Sequence, residues 1–318
     1  MYPKDQNYII GVDGGGTKTV AVLADLNGKI LKIGKSNTSN PRNVGIEIAI
    51  ENIIKAIKDI LPKNRNSQIL SIFIGLSAVE EEFRLKVKKI QKELLKEKKI
   101  SQLLKGEIKI VSDQLIAFKS GTEEKDGIVL IAGTGCVAHG WREEKEFKVS
   151  GWGWLADEGS GFWIGQRIFQ AILKTLDKRR PKTLLVDFAF RKLGLKKQDS
   201  NLLNQKIYTP DFIKRVSSLS SICDTVAQKK DKIAKKILVE AGNELVSAVK
   251  TVIKELGFFE EKFPLVLVGG LFKSKVILDV LKKEIKKIAP KARFIIPQKE
   301  PVIGAIKMGK KSRKNQNL

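Results

Sequence analysis

Two kinds of apolar pattern alternate along the chain. Short, largely apolar runs at 8–12, 20–24, 30–33, 70–75 and 108–112 have the length and glycine-bounded ends of strands. Between them Ile46, Ile50, Ile53, Ile57 and Leu61 recur at helical spacing, as do Phe83, Val87, Ile90 and Leu94 within a helix predicted over 83–104. Asn27-Gly28 marks a hairpin between the second and third strands. The order is β-β-β-α-β-α-β, followed by a short helix at 114–118. The second half repeats it more loosely, with strands at 127–132, 137–141 and 147–149 and a helix at 161–176. A mostly helical insertion spans about 181–256, followed by a buried strand at 265–268, a helix at 273–288 and a strand at 294–296. Two copies of one α/β unit, facing each other across a cleft, are expected. The length of 318 residues accommodates both. The tail 310–318 has nothing to bury and is expected to fray.

Composition narrows the function classes. Apolar residues at 42% and charged ones at 30% exclude global disorder. No apolar run has the length of a membrane span, and residues 1–8 carry Pro, Lys and Asp where a signal peptide is apolar. A cytoplasmic protein is expected. Two cysteines, Cys136 and Cys223, and one histidine, His139, exclude a disulfide framework and a His-rich metal cluster; all three read as structural. The net charge of +25 attracts nucleotide phosphates, nucleic acid or acidic membranes alike. The lysines, however, occupy the polar faces of amphipathic helices, and no nucleic-acid motif or aromatic platform accompanies them. The charge therefore reads as solvated surface, with neither nucleic acid nor membrane as partner.

Five motifs carry candidate chemistry. In Gly11-Val12-Asp13-Gly14-Gly15-Gly16-Thr17-Lys18-Thr19 the order Thr-Lys excludes a P-loop, and a strand rather than a helix follows. The glycines Gly14, Gly15 and Gly16 sit in a β-hairpin turn that lets backbone N–H groups approach an anion. Thr17 adds a hydroxyl, Lys18 a charge, and Asp13 a carboxylate placed for Mg²⁺. Gly133-Thr134-Gly135 is the matching turn of the second half. Asp113 ends a buried strand, where it could accept a proton from an attacking hydroxyl; equally, Ser112 or Asp113 could cap the next helix. In the segment 151–161, Gly151, Trp152, Gly153 and Asp157 combine a carboxylate with aromatic faces, as a sugar site requires, or Asp157 or Ser160 is a cap and the tryptophans are core. Gly269-Gly270 allows the close approach that an adenosine needs.

In this order and spacing the motifs resemble the sugar kinase/heat-shock protein 70/actin superfamily. More narrowly they resemble its BadF/BadG/BcrA/BcrD ATPase group, which includes N-acetylglucosamine kinase. The resemblance runs from about residue 8 to 308. It implies two ribonuclease-H-like (actin-like ATPase) domains of α/β class, MgATP between them, and a last helix at 302–308 returning to the first domain. The domains would be 1–117 with the C-terminal helix 302–318, and 118–301 with the insertion. By matching positions, Asp13 would serve the metal, Gly14–Lys18 and Gly133–Gly135 the phosphates, and Gly269–Gly270 the adenosine. Asp113 would be the catalytic base; Asn40, five residues before Gly45, and Asp157 would bind the sugar, with Gly151–Gly153 lining the same site. Cys136 stands where Ser is usual, the segment before Asp157 is one residue shorter than the usual pattern, and the stretch 75–80 lacks a second glycine.

The resemblance implies an ATP-dependent kinase acting on the primary hydroxyl of an amino sugar or N-acetyl amino sugar, with a second copy of the chain as a candidate partner. The alternative within the group is an ATPase driving iron–sulfur electron transfer, which would require the two cysteines as cluster ligands. A non-enzymatic sugar sensor on the same scaffold is the third reading.

Overall fold

Strand β1 (Asn7–Gly14) is buried along nearly its whole length, and its alternate residues go to different helices. Tyr8, Ile10 and Val12 join Ala21, Leu23, Ile50, Ile53 and Ile57 on one face. Ile9 meets Val302 and Ile306 on the other. This two-sided burial explains why the strand reads as a continuous apolar run rather than an alternation. The computed structural model describes residues 7–64, 66–77, 83–196 and 198–316. It divides into two compact units, one made of residues up to 123 and from 297 onward, the other of 124–296.

In the first unit β1, β2 (Lys18–Asp25) and β3 (Ile30–Asn37) form an antiparallel meander. Helix α1 (Pro41–Lys58) leads to β4 (Gln68–Leu76), which adds parallel to β1. Helices α2 (Phe83–Lys96) and α3 (Lys98–Leu103) precede β5 (Leu104–Ser112), which lies parallel to β4, and α4 (Asp113–Gly121) follows. The sheet order is β3-β2-β1-β4-β5. The last helix, α11 (Val302–Gln316), packs on β1 and α4. There a Cβ on Gly304 would stand 1.9 Å from the Ile116 carbonyl oxygen.

The second unit has β6 (Gly127–Ala132), β7 (Cys136–Arg142), β8 (Lys145–Ser150) and α5 (Gly161–Leu176), then α6 (Leu185–Leu193), α7 (Ser200–Ile207), α8 (Phe212–Gln228) and α9 (Lys232–Leu256). It closes with β9 (Pro264–Val268), α10 (Lys275–Lys286) and β10 (Arg293–Ile295). Its sheet order, β10-β9-β6-β7-β8, repeats that of the first unit strand for strand.

Several expectations change. The helix expected over 83–104 ends at Lys96, and after α3, which buries Ile100 and Leu103, the chain enters β5. Helix α9 is not part of an insertion. It packs on β7 and β8, where Gly140 lies so close that a Cβ would meet Val252 at 2.6 Å. It thereby holds the place that α1 holds on β2 and β3. The units divide after residue 123 rather than 117 because all of α4 packs on α11. The helix expected at 302–308 runs on to Gln316, and Lys310 is tied down by donating to the Asn27 carbonyl at 2.8 Å. Of the features read from sequence, residues 1–6, the end of the stretch 75–80 and the last two residues lie outside the described ones. Among the described residues no helix is long and apolar enough to cross a membrane.

Candidate active site

The turn between β1 and β2 is closed by Gly15 N–H donating to the Lys18 carbonyl at 3.1 Å. Around it, side chains hold the carbonyls of all three glycines. Ser77 donates its N–H and its Oγ–H to Gly14, both at 3.2 Å. Thr38 Oγ1 donates to Gly15 at 3.0 Å, and Asn43 Nδ2 to Gly16 at 3.3 Å. With its acceptors occupied by the protein, the turn is left to meet a ligand through N–H groups, which is the requirement for an anion. Packing does not demand the glycine at the tip: a Cβ on Gly16 would find its nearest neighbour, Asn40 Nδ2, 3.8 Å away. Thr17 and Lys18 are exposed, and Lys18 Nζ pairs with Glu300 at 3.0 Å.

Asp13 is half-buried at the end of β1, and no hydrogen bond among the described residues reaches its carboxylate. Desolvation pushes its pKa from 3.8 to about 6, against the pull of Lys18 and with a smaller push from Glu300. A carboxylate in this state is short of a cation. Among the described residues no cluster of three or more His, Cys, Asp or Glu could hold a metal. A cation at Asp13 would thus take most ligands from water and phosphate, the habit of Mg²⁺. The residues fit that ion.

Register brings Asp113 to the same sheet edge. Gly14 pairs with Leu76, and Leu76 with Ser112. Asp13 is level with Val111, so Asp13 and Asp113 lie on either side of β4, two strand spacings and two residues apart, about 12 Å between Cα atoms. Ser112 is the cap of α4, accepting from Leu115 N–H at 3.2 Å, so Asp113 becomes the first helical residue, not the cap. Gln114 Nε2 donates to Asp113 Oδ1 at 2.6 Å and orients the carboxylate. Asn40 caps α1 by accepting from Arg42 N–H at 2.9 Å, which leaves its amide nitrogen as the free end facing Gly16. Gly45, at φ +78°, interrupts α1 one turn later.

In the second unit the Gly133–Gly135 turn closes with Gly133 N–H on the Gly135 carbonyl at 2.9 Å. The carbonyls of Gly133 and Thr134 accept from Gly161 and Phe162 at the start of α5, at 2.7 and 3.1 Å. Again the carbonyls are occupied by protein donors. A Cβ on Gly133 or Gly270 would meet nothing within 4 Å, so neither glycine is explained by packing. Gly269 differs: its φ is +123°, and a Cβ there would lie 2.1 Å from the Ala132 carbonyl oxygen.

Asp157, expected at the sugar site, is held by backbone donors. It is 4% exposed. Its Oδ1 accepts from the N–H groups of Gly151, Trp152 and Gly153 at 3.0, 2.9 and 3.3 Å, and its Oδ2 from Cys136 N–H at 3.2 Å. Burial pushes its carboxyl above the usual range, while these four donors pull it back. So placed, Asp157 ties the 151–153 loop to the phosphate turn. The tryptophans separate: Trp152 is exposed with Lys148 over its ring, whereas Trp154 packs on Phe162 and Phe212. Ser160 caps α5.

Both cysteines are buried. Desolvation pushes the Cys136 thiol up to about 12 and Cys223 higher still. Each donates to a backbone carbonyl, of Glu158 and Ala234 respectively. Such thiols are not offered as cluster ligands, which must be thiolates. Sequence reasoning missed Glu300, Ser77, Thr38 and Asn43. None belongs to a motif, and only the fold brings them to the turn.

The BadF/BadG/BcrA/BcrD ATPase family model matches residues 10–309. The N-acetyl-D-glucosamine kinase of Dictyostelium discoideum is 36% identical, covering 96% of this chain and 98% of that protein. The N-acetylmuramic acid/N-acetylglucosamine kinase of Clostridium acetobutylicum is 30% identical over 94% of this chain and 97% of that one. Among solved structures, the ROK family glucokinase of Streptomyces griseus, in complex with glucose and AMPPNP, superposes with a TM-score of 0.55 at 15% identity, covering 95% and 98% of the two chains. That likeness shows the fold. With the family model spanning nearly the whole chain, this protein belongs to the BadF/BadG/BcrA/BcrD ATPase family.

Proposed function

We propose that this chain is an ATP-dependent, cytoplasmic kinase that transfers the γ-phosphoryl group of ATP to the primary hydroxyl of N-acetylglucosamine or a related amino sugar. The observation that carries the reading is the shared sheet edge of Asp13 and Asp113, with the Gly14–Lys18 turn beside them. The kinases to which the chain is 36% and 30% identical supply the sugar class.

Asp113, fixed by the start of α4 and by Gln114, accepts the proton of the attacking hydroxyl as its oxygen bonds to phosphorus. In the first unit the Gly14–Lys18 turn offers N–H groups to phosphate oxygens; in the second, the Gly133–Gly135 turn does the same and Gly270 leaves room for the adenosine. Mg²⁺, when bound at Asp13, neutralises phosphate charge. Lys18 exchanges Glu300 for a phosphate, an exchange made easy by the high exposure of the ion pair. Such transfer depends on positioning and electrostatics more than on covalent chemistry by the protein. In the first unit the Asn40 amide is a donor for the sugar; in the second, the 151–153 loop, with Trp152 exposed, is a candidate sugar face.

The test is a coupled ADP-release screen over N-acetylglucosamine, glucosamine, glucose and N-acetylmannosamine with Mg²⁺. Sugar-dependent release, strongest with the first or second, is expected. Release that ignores every sugar would overturn the proposal.

A further inference from the structure

The second unit contains a cavity of about 690 Å³ that the catalytic reading does not use. Its lining holds eight basic side chains against two acidic ones. The two acids, Asp231 and Glu240, offset only part of that charge. Asp231 is committed to capping: one oxygen accepts from Ile233 and Ala234 N–H, the other from Leu184 N–H and the Thr183 hydroxyl. Glu240 already faces Lys236 at 3.8 Å. Lys174, Arg180, Lys182, Lys229, Lys230 and Lys232 have no ion pair among the described residues.

Asp231 caps the positive end of α9, but it is one carboxylate beside several cations. Helix α9 is 25 residues long, has no acid in its first turn, and places Lys232, Lys235 and Lys236 at its positive end. Cations there oppose the helix dipole and repel one another. A concave wall also concentrates the field of its charges. Part of the lining is apolar, from Ala171, Leu184, Ile233 and Ile237. The volume falls in the range of small-ligand sites.

The cavity is separate from the phosphate turn. On α5 it is lined by Arg167, Gln170, Ala171 and Lys174, one stripe at helical spacing. The turn meets α5 at Gly161 and Phe162, and Gly165 of the neighbouring stripe abuts Val216 of α8. At 1.5 Å per residue, the lining on α5 begins at Arg167, about 9 Å along the axis from Gly161, and ends at Lys174, about 20 Å from it.

We infer that this cavity binds a small soluble anion carrying a chain of two or three phosphates, at a site distinct from the one where phosphoryl transfer occurs. The inference does not depend on which sugar, if any, the chain phosphorylates.

The test is hydrogen exchange on the full chain with and without inorganic tripolyphosphate, with ADP and a single-stranded RNA as further arms, at about 0.1 M salt. Tripolyphosphate or ADP is expected to protect the first turns of α9 and the segment 180–184. Tighter protection by ADP would assign the phosphate chain to a nucleotide, and tighter protection by tripolyphosphate to an inorganic chain. The triple variant Lys182→Gln, Lys229→Gln, Lys232→Gln should lose this protection and bind the protecting anion at least about tenfold more weakly, with sugar-dependent ADP release unchanged. Lys232→Glu puts an acid where α9 favours one, so it should keep or raise Tm while weakening the same binding. Protection that is identical in the triple variant, absent with both small anions, or given only by RNA would overturn the inference.

Discussion

Asp13→Asn should make the ligand-free protein more stable while abolishing catalysis. The carboxylate is half-buried with no hydrogen-bond donor, and desolvation, the largest effect, raises its pKa from 3.8 to about 6. A shift of that size corresponds to about 3 kcal/mol between the protonated and charged forms. Because the folded value lies above the unfolded one, the native state holds the proton more tightly. Stability attributable to this group is therefore present below pH 3.8 and falls as pH rises to about 6. Asparagine keeps the shape and removes the charge. In urea unfolding without nucleotide or divalent cation, the variant should match the wild type near pH 3.8 and gain up to about 3 kcal/mol above pH 6. In a unit of this size that is roughly 6–12 °C in Tm. Added Mg²⁺ and ATP should narrow the gap, since they bind only where the carboxylate remains. A variant no more stable than wild type at neutral pH, or a gap that persists unchanged into acid, would refute the reasoning.

Other outcomes follow from the same geometry. Asp113→Asn should lower kcat by roughly 10²–10⁴ with ATP affinity nearly intact, read from steady-state kinetics and nucleotide titration. Asp157→Asn keeps an acceptor for the 151–153 loop but turns an N–H group toward Cys136 N–H; a loss of roughly 1.5–3 kcal/mol in thermal unfolding is expected, with weaker ATP binding. Were Asp157 a direct sugar ligand, only the sugar KM would move. Gly133→Ala should leave Tm within about 1 °C and raise the KM for ATP, because nothing surrounds the missing Cβ within 4 Å. Gly269→Ala, at φ +123° and against the Ala132 carbonyl, should instead destabilise by roughly 1–3 kcal/mol.

What the sequence revealed depended on range. Strands β1, β2 and β6 and helix α5 were legible because their burial is continuous or strictly periodic. The β1–β2 turn was legible because glycines concentrate where a backbone must meet a ligand. The break between α2 and α3 was not, since lysines at 96, 98 and 99 suit helix and turn alike. The placement of α9 on the sheet was hidden because its apolar stripe says that it packs, not on what. Asp157 shows the deeper limit. A carboxylate among glycines and tryptophans reads as a sugar ligand or a cap, and only three-dimensional contacts show that four backbone donors also converge on it. Glu300 lies 282 positions from Lys18, and no local pattern announces their pairing.

The central claim is that Asp113 and the Gly14–Lys18 turn serve the transfer of a phosphoryl group to a primary alcohol. The most direct measurement is phosphorus–proton correlation NMR on the product formed from ATP and N-acetylglucosamine. The account predicts a phosphate coupled to the methylene protons of the sugar, absent when Asp113→Asn replaces the wild type. Coupling to a ring methine proton, or free phosphate alone, would contradict it.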